Sequence, residues 1–196
     1  MPIGFFVAIF GYLSGSIPTG LILTKFFSKV DPRKIGSQNI GATNIYRTAG
    51  KTLGVLTLVF DVLKGSIPIG IAIWLNLPDL WIVISGLSPF LGHVFPIFLG
   101  FKGGKGVATA LGIYLMISPI SVLIAFLLFF GIVWKWRYIS LGSIVCSATI
   151  PILIAFFRSD SKAYFILSVL IAALISYRHQ TNISRLLEGT ENKWKD

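Results

Sequence analysis

The residues of this 196-residue chain that could do chemistry gather in a few polar stretches between long apolar runs. The first reads Gly36-Ser37-Gln38-Asn39-Ile40-Gly41-Ala42-Thr43-Asn44-Ile45-Tyr46-Arg47. It is small, polar and free of acids: Ser37, Asn39 and Asn44 bring neutral polar groups, and Arg47 brings a fork that matches a phosphate. The second reads Phe101-Lys102-Gly103-Gly104-Lys105-Gly106-Val107-Ala108-Thr109. Here Gly103, Gly104 and Gly106 let backbone amides approach an anion, and Lys105 adds a point charge. It is not a nucleotide P-loop, because Leu99 stands where that motif needs glycine and Gly106 where it needs Ser or Thr. In a third stretch, Trp134-Lys135-Trp136-Arg137 leads to Ser140 and Ser143. Ser143 is a candidate ligand there, while an interfacial Trp and basic anchor explains the rest equally well.

The tail, Arg178 to Glu191, holds His179 and Asn182, followed by Arg185 and Glu188. His179 is the candidate for proton transfer near neutral pH, with helix capping as the alternative. Thr181 or Asn182 is expected to cap a short helix carrying Leu186 and Leu187 on its apolar side. Asp61 and Lys64, three residues apart within an apolar run, either mark a pathway or form a structural pair. His93, near Pro96, reads as a kink with a satisfied donor. No two of the seven acids lie on the stretches 36–47 and 100–109, so neither a carboxylate metal site nor a His/Glu zinc motif is predicted. Neither His93 nor His179 has Asp five residues on, and no nucleophile elbow is present. The lone Cys146 lies in an apolar run.

These stretches must be positioned by elements that the composition restricts. Charged residues make up 12% and hydrophobic ones 55%, with mean hydropathy +0.83. That leaves too little polar surface for a water-soluble globule. The chain reads as one all-α, polytopic membrane domain over residues 1–196, its polar loops being 36–47, 100–109 and 178–191. Apolar runs cover 3–24, 53–75, 80–99, 107–117, 119–134, 138–157 and 163–177. Proline at 119 breaks what would otherwise be one over-long helix. Seven transmembrane helices with the N-terminus outside and the C-terminus cytoplasmic leave Arg158 and Lys162 outside and Lys64 in a span. The other 14 of the 17 positive residues then lie inside, as the positive-inside rule asks. In this topology the second, fourth and sixth helices begin on the cytoplasmic side, with their positive dipole ends next to the polar loops. The echo Gly15-Ser16-Ile17-Pro18 and Gly65-Ser66-Ile67-Pro68 reads as small-residue helix packing or as a trace of an internal repeat.

Taken together, Gly36 to Arg47, Phe101 to Thr109 and His179 to Glu191 resemble the three cytoplasmic motifs of the bacterial acyl-phosphate:glycerol-3-phosphate acyltransferases. The segments Asp61 to Gly65 and Gly92 to Pro96 are similar as well, so the resemblance covers essentially the whole chain. It departs at Gln180 and Thr181, where relatives carry other polar residues. The resemblance implies transfer of a fatty acyl group from acyl phosphate to the 1-position of glycerol 3-phosphate, in the bacterial inner membrane with the active site on its cytoplasmic side. The products would be lysophosphatidic acid and phosphate, the first step of phospholipid synthesis. No cofactor, nucleic acid or obligatory protein partner is implied; membrane lipids surround the protein.

On this reading Lys105 and the amides of Gly103, Gly104 and Gly106, in the stretch closed by Thr109, bind one phosphate. Arg47 with Ser37, in the stretch holding Asn39 and Asn44, and with Ser143, binds the other. His179 and Asn182 orient the attacking hydroxyl, while Glu188 holds the tail through Arg185 or a backbone donor. The competing class is a membrane transporter of a small phosphate-bearing anion. It would need polarity through the bilayer, which the third, fifth and seventh spans hardly carry.

Overall fold

The computed structural model describes residues 2–194, and all regular structure among them is helical. Within the single domain expected from the sequence, the chain groups into two compact units, through Met116 and from Ile117 onward. The first contains α1 (Pro2–Ser16), α2 (Thr19–Phe27), α3 (Ala42–Ala49), α4 (Lys51–Trp74), α5 (Asp79–Val94), a 3₁₀ turn (Ile97–Leu99) and α6 (Val107–Ile117), whose last residue passes the boundary. The second contains α7 (Pro119–Trp136), α8 (Ile139–Phe157), α9 (Lys162–Arg178) and α10 (Gln180–Leu187).

Five segments are long and apolar enough to cross a bilayer: Ile3–Phe27, Lys51–Trp74, Asp79–Leu99, Pro119–Trp136 and Ile139–Phe157. A sixth arises if α9 and α10, bent by 58°, are taken together, and Val107–Ile117 is a shorter apolar helix of 11 residues. Large apolar side chains face outward along them, Phe130 63% and Phe156 77% exposed. A water-soluble protein would bury such a surface, whereas lipid tails cover it.

Backbones approach closely through glycine, as helices do in lipid. In the first unit, a Cβ on Gly15 would strike the Pro89 backbone, and one on Gly92 the Tyr12 carbonyl, so α1 and α5 lie in contact. A Cβ on Gly65 would meet the Thr109 carbonyl, and one on Gly112 the Val62 carbonyl. Those two contacts fix α6, and with it the glycine-rich stretch before it, against α4.

Three local expectations are corrected. The run 3–24 is not one helix: it breaks between Ser16 and Thr19, where Pro18 (φ −84°, ψ 73°) cannot continue the ladder. The short tail helix is capped by neither Thr181 nor Asn182; it starts at Gln180, directly after His179, and both lie inside it. The stretch 36–47 is not all loop, since Ala42 begins α3. The Ser118-Pro119 break is present, with Ser118 Oγ accepting from the Ser121 amide at 3.4 Å as an N-cap.

Candidate active site

In the first unit, the stretch 36–47 is organised by one side chain. Asn44 is 2% exposed; its Oδ1 accepts from the Ser37 amide at 2.9 Å. Its Nδ2 donates to the carbonyls of Pro32 (2.9 Å), Ile35 (3.2 Å) and Asn39 (2.9 Å). Asn44 was expected among the substrate-binding residues, and this is a correction: its amide is engaged by the loop backbone and serves as the post around which the loop is wound. Asn39 Oδ1 likewise accepts from the Gly41 amide at 2.8 Å, closing a local turn. Ser37 is half-buried, and Arg47, in the last turn of α3, is exposed. At the foot of the loop Arg33 donates through Nε (3.0 Å) and Nη2 (2.9 Å) to Asp31. These bonds hold the Asp31 carboxyl down to about 2.

Removing the Asn44 amide is expected to leave four loop groups without that partner. Asn44→Ala should cost about 2–3 kcal/mol, read as a lower thermal midpoint in detergent.

The stretch 101–106 is built tightly on the end of α5. The Gly103 amide donates to the Val94 carbonyl at 3.2 Å and the Gly104 amide to the His93 carbonyl at 3.1 Å. A Cβ on Gly103 would strike the His93 carbonyl, one on Gly104 the His93 ring nitrogen Nε2, and one on Gly106 the Phe90 ring. Gly106 also has φ +82°, a conformation that side chains resist. Three glycines are therefore required by the packing and the backbone, beyond any approach of a ligand. Lys105 is half-buried. Thr109, fully buried one turn into α6, has no hydrogen-bond partner for its hydroxyl among the described residues.

In the second unit, His179 is 2% exposed and its Nδ1 lies 2.8 Å from the Ile175 carbonyl. A carbonyl only accepts, so Nδ1 carries the proton and the lone pair of the neutral ring is on Nε2. Asn182 Nδ2 donates to Glu191 Oε1 at 2.7 Å, Ser140 Oγ donates to the same oxygen at 2.9 Å, and Arg185 Nε donates to Oε2 at 2.7 Å. Glu191 is thus the acid that ties α10 to the start of α8. The partnership expected between Glu188 and Arg185 is corrected: Glu188 Oε1 instead accepts from Ser184 Oγ at 2.7 Å, at the exposed rim. Ser143 is buried and its hydroxyl donates to the Ile139 carbonyl at 2.9 Å. That bond lies within the first turn of α8.

Within the first unit, the fold brings Ser37, Asn39 and Asn44 together in one loop, and Gly103, Gly104 and Gly106 together against α5. Within the second it brings Asn182 and Arg185 together on Glu191. Sequence reasoning missed Glu191 and Ser140 as partners. Glu191 carried a usable signal, being the last acid of the tail motif. No group of three or more His, Cys, Asp or Glu side chains suited to a metal ion occurs among the described residues.

The glycerol-3-phosphate acyltransferase family matches residues 5–189. A glycerol-3-phosphate acyltransferase of Geotalea daltonii is 55% identical over 185 residues, 94% of each chain. The chain is similar to a crystal structure of PlsY (YgiH), an integral membrane glycerol 3-phosphate acyltransferase, in its glycerol 3-phosphate form. The TM-score is 0.93 and the identity 44%, covering 98% of this chain and 96% of that one. The lysophosphatidic acid form of that protein gives TM-score 0.91 and 43% identity, over 98% and 95% of the chains.

Proposed function

The chain belongs to the glycerol-3-phosphate acyltransferase family, and from that premise we propose that it transfers a fatty acyl group from acyl phosphate to the sn-1 hydroxyl of glycerol 3-phosphate. Whole-chain likeness to an acyltransferase solved in both a glycerol 3-phosphate and a lysophosphatidic acid form carries this reading. Acyl phosphate is an activated mixed anhydride. The protein then needs chiefly to place two phosphate-bearing reactants and to stabilise developing charge. Two separate stretches, 36–47 with Arg47 and 101–106 with Lys102 and Lys105, support that requirement.

Lys105 and the Gly106 amide take one phosphate, on a turn held by the Gly103 and Gly104 amides through the Val94 and His93 carbonyls, and Thr109 lends a hydroxyl beside them. Arg47 and Ser37, on the scaffold of Asn39 and Asn44, take the other. His179 Nε2 and Asn182 orient the attacking hydroxyl, and the proton passes to His179 or to the substrate phosphate. As the oxygen attacks the acyl carbon, the bond to phosphate breaks and inorganic phosphate leaves. Arg185 and Glu191 hold α10 in place.

The helices count as seven spans when α1 with α2 forms one broken span and α6, about 16 Å long, begins in the glycine-rich stretch. The distribution of Lys and Arg then sets the N-terminus outside, the C-terminus in the cytoplasm and the active site on the cytoplasmic face of the bacterial inner membrane.

The test is an assay of purified protein with long-chain acyl phosphate and glycerol 3-phosphate, with acyl-CoA as control donor. Lysophosphatidic acid and phosphate should form with acyl phosphate alone. Failure to form either product, or equal turnover of acyl-CoA, would overturn the assignment of the donor.

A further inference from the structure

A buried polar cluster in the first unit has no part in the roles assigned above. Asp61 is 1% exposed, and its Oδ1 accepts from Thr19 Oγ1 at 2.6 Å and pairs with Lys64 Nζ at 2.8 Å. His93 Nδ1 lies 3.7 Å from the same oxygen, and Lys64 Nζ also donates to the Ile17 carbonyl at 3.1 Å. Burying an ion pair is expensive, and replacing it with apolar side chains is often neutral or stabilising. In a membrane-spanning helix such charges mark function by default. The cluster therefore calls for a use beyond holding helices together.

That use is indicated by what lies on the far side of His93. The residue ends α5, where its carbonyl accepts from the Gly104 amide, while its Nε2 occupies the space that a Gly104 side chain would fill. Gly103 is bonded to the neighbouring Val94 carbonyl. One imidazole thus stands between the buried carboxylate and the glycine-rich stretch. We propose that the cluster of Asp61, Lys64 and Thr19 backs the His93 ring, whose Nδ1 stands just beyond hydrogen-bond distance of the carboxylate, and that His93 sets the backbone of Gly103 to Gly106 in the form that receives a phosphate. Asp61, Lys64 and His93 are positioning residues for that stretch. The proposal rests on reading residues 101–106 as a phosphate site.

The test uses the full chain in detergent, with KM and kcat measured for both substrates and hydrogen exchange followed over residues 100–108. His93→Ala should raise, by about tenfold, the KM of whichever substrate Lys105→Ala also weakens. Its kcat should stay within about twofold, the pattern of lost binding rather than lost chemistry. Exchange of the glycine amides should quicken. Gly104→Ala should raise the same KM, and adding His93→Ala should raise it no further, because the clash and the post are removed together. The double variant Asp61→Leu with Lys64→Met leaves no unpaired buried charge, so it tests the cluster without unfolding the bundle; it should raise the same KM at a near-native thermal midpoint.

Additive effects at His93 and Gly104, a fall in kcat at constant KM, or a native KM in the charge-free double variant would each overturn the proposal. If Lys105→Ala moves neither KM, the phosphate reading of the stretch fails on its own. Positioning is then judged by exchange alone, quickened exchange in His93→Ala supporting it and unchanged exchange refuting it.

Discussion

Replacing His179 with alanine is expected to lower kcat by about 10²–10³-fold while leaving the KM for glycerol 3-phosphate within about threefold. His179 is buried at the joint between α9 and α10, and the Ile175 carbonyl fixes which nitrogen carries the proton. A ring held in that tautomer carries its lone pair on Nε2, and in the role proposed above its contribution would be confined to the step in which the proton moves. His179→Ala also removes the bond to Ile175, so His179→Gln serves as the companion variant: it restores a donor without restoring a base. Both variants should bind substrate and both should be slow. Near-normal turnover in either would remove His179 from the chemistry and leave the substrate phosphate as the proton acceptor.

The second large effect is expected at Glu191. Its carboxylate, 6% exposed at the side chain, gathers Ser140, Asn182 and Arg185. Glu191→Ala deprives three donors of their acceptor at once and should cost about 3 kcal/mol. For a chain of this size that lowers the thermal midpoint by roughly 6–12 °C. Turnover should fall with it, because Asn182 loses the partner that aims its amide. Burial works to raise the Glu191 pKa, but the bonds from Arg185, Asn182 and Ser140 outweigh it, and the carboxyl stays below its ordinary value. Its stabilisation is therefore complete above the unfolded-state pKa and disappears as pH falls through the lower folded-state value. Thermal midpoints followed from about pH 7 down to about pH 3 should show a steeper acid decline in the native chain than in Glu191→Gln. Equal slopes would mean that the carboxylate contributes nothing in its charged form.

Much of the architecture was legible in the sequence because lipid imposes long, uninterrupted apolar runs and proline punctuates them. Pro119 starts α7 where expected. The Gly-Ser-Ile-Pro echo shows where such reading stops. At 15–18 the tetrapeptide breaks the chain into α1 and α2, whereas at 65–68 it lies inside the continuous helix α4. Local sequence is the same in both places, and the difference lies in distant partners. The opened Ile17 carbonyl receives the Lys64 ammonium, 47 positions away in the chain.

The candidate site was legible only in part. Glycine, lysine and arginine in unusual loops suggested an anion, yet Gly103, Gly104 and Gly106 are also required by the packing and backbone of their own turn. What could not be read was the division between residues that face a ligand and residues that build the loop. Asn44 carries the right polar groups but spends them on the loop's own backbone. Glu188 and Glu191 are equivalent by composition, and only the turn after α10 decides which of them meets Arg185.

The break at Ile17–Pro18 also bears on how the chain enters the bilayer during synthesis. A finished helix can leave the insertion machinery alone, since its backbone groups are satisfied within it. The first segment of this protein is less self-contained: the Thr19 hydroxyl donates to Asp61 on α4, and the Ile17 carbonyl, which already accepts from the Thr19 amide at 3.0 Å, takes a second bond from Lys64 there. Lys64 and Asp61 in turn offset each other's charge on that helix. The first and second apolar runs are thus suited to be released into lipid as a pair.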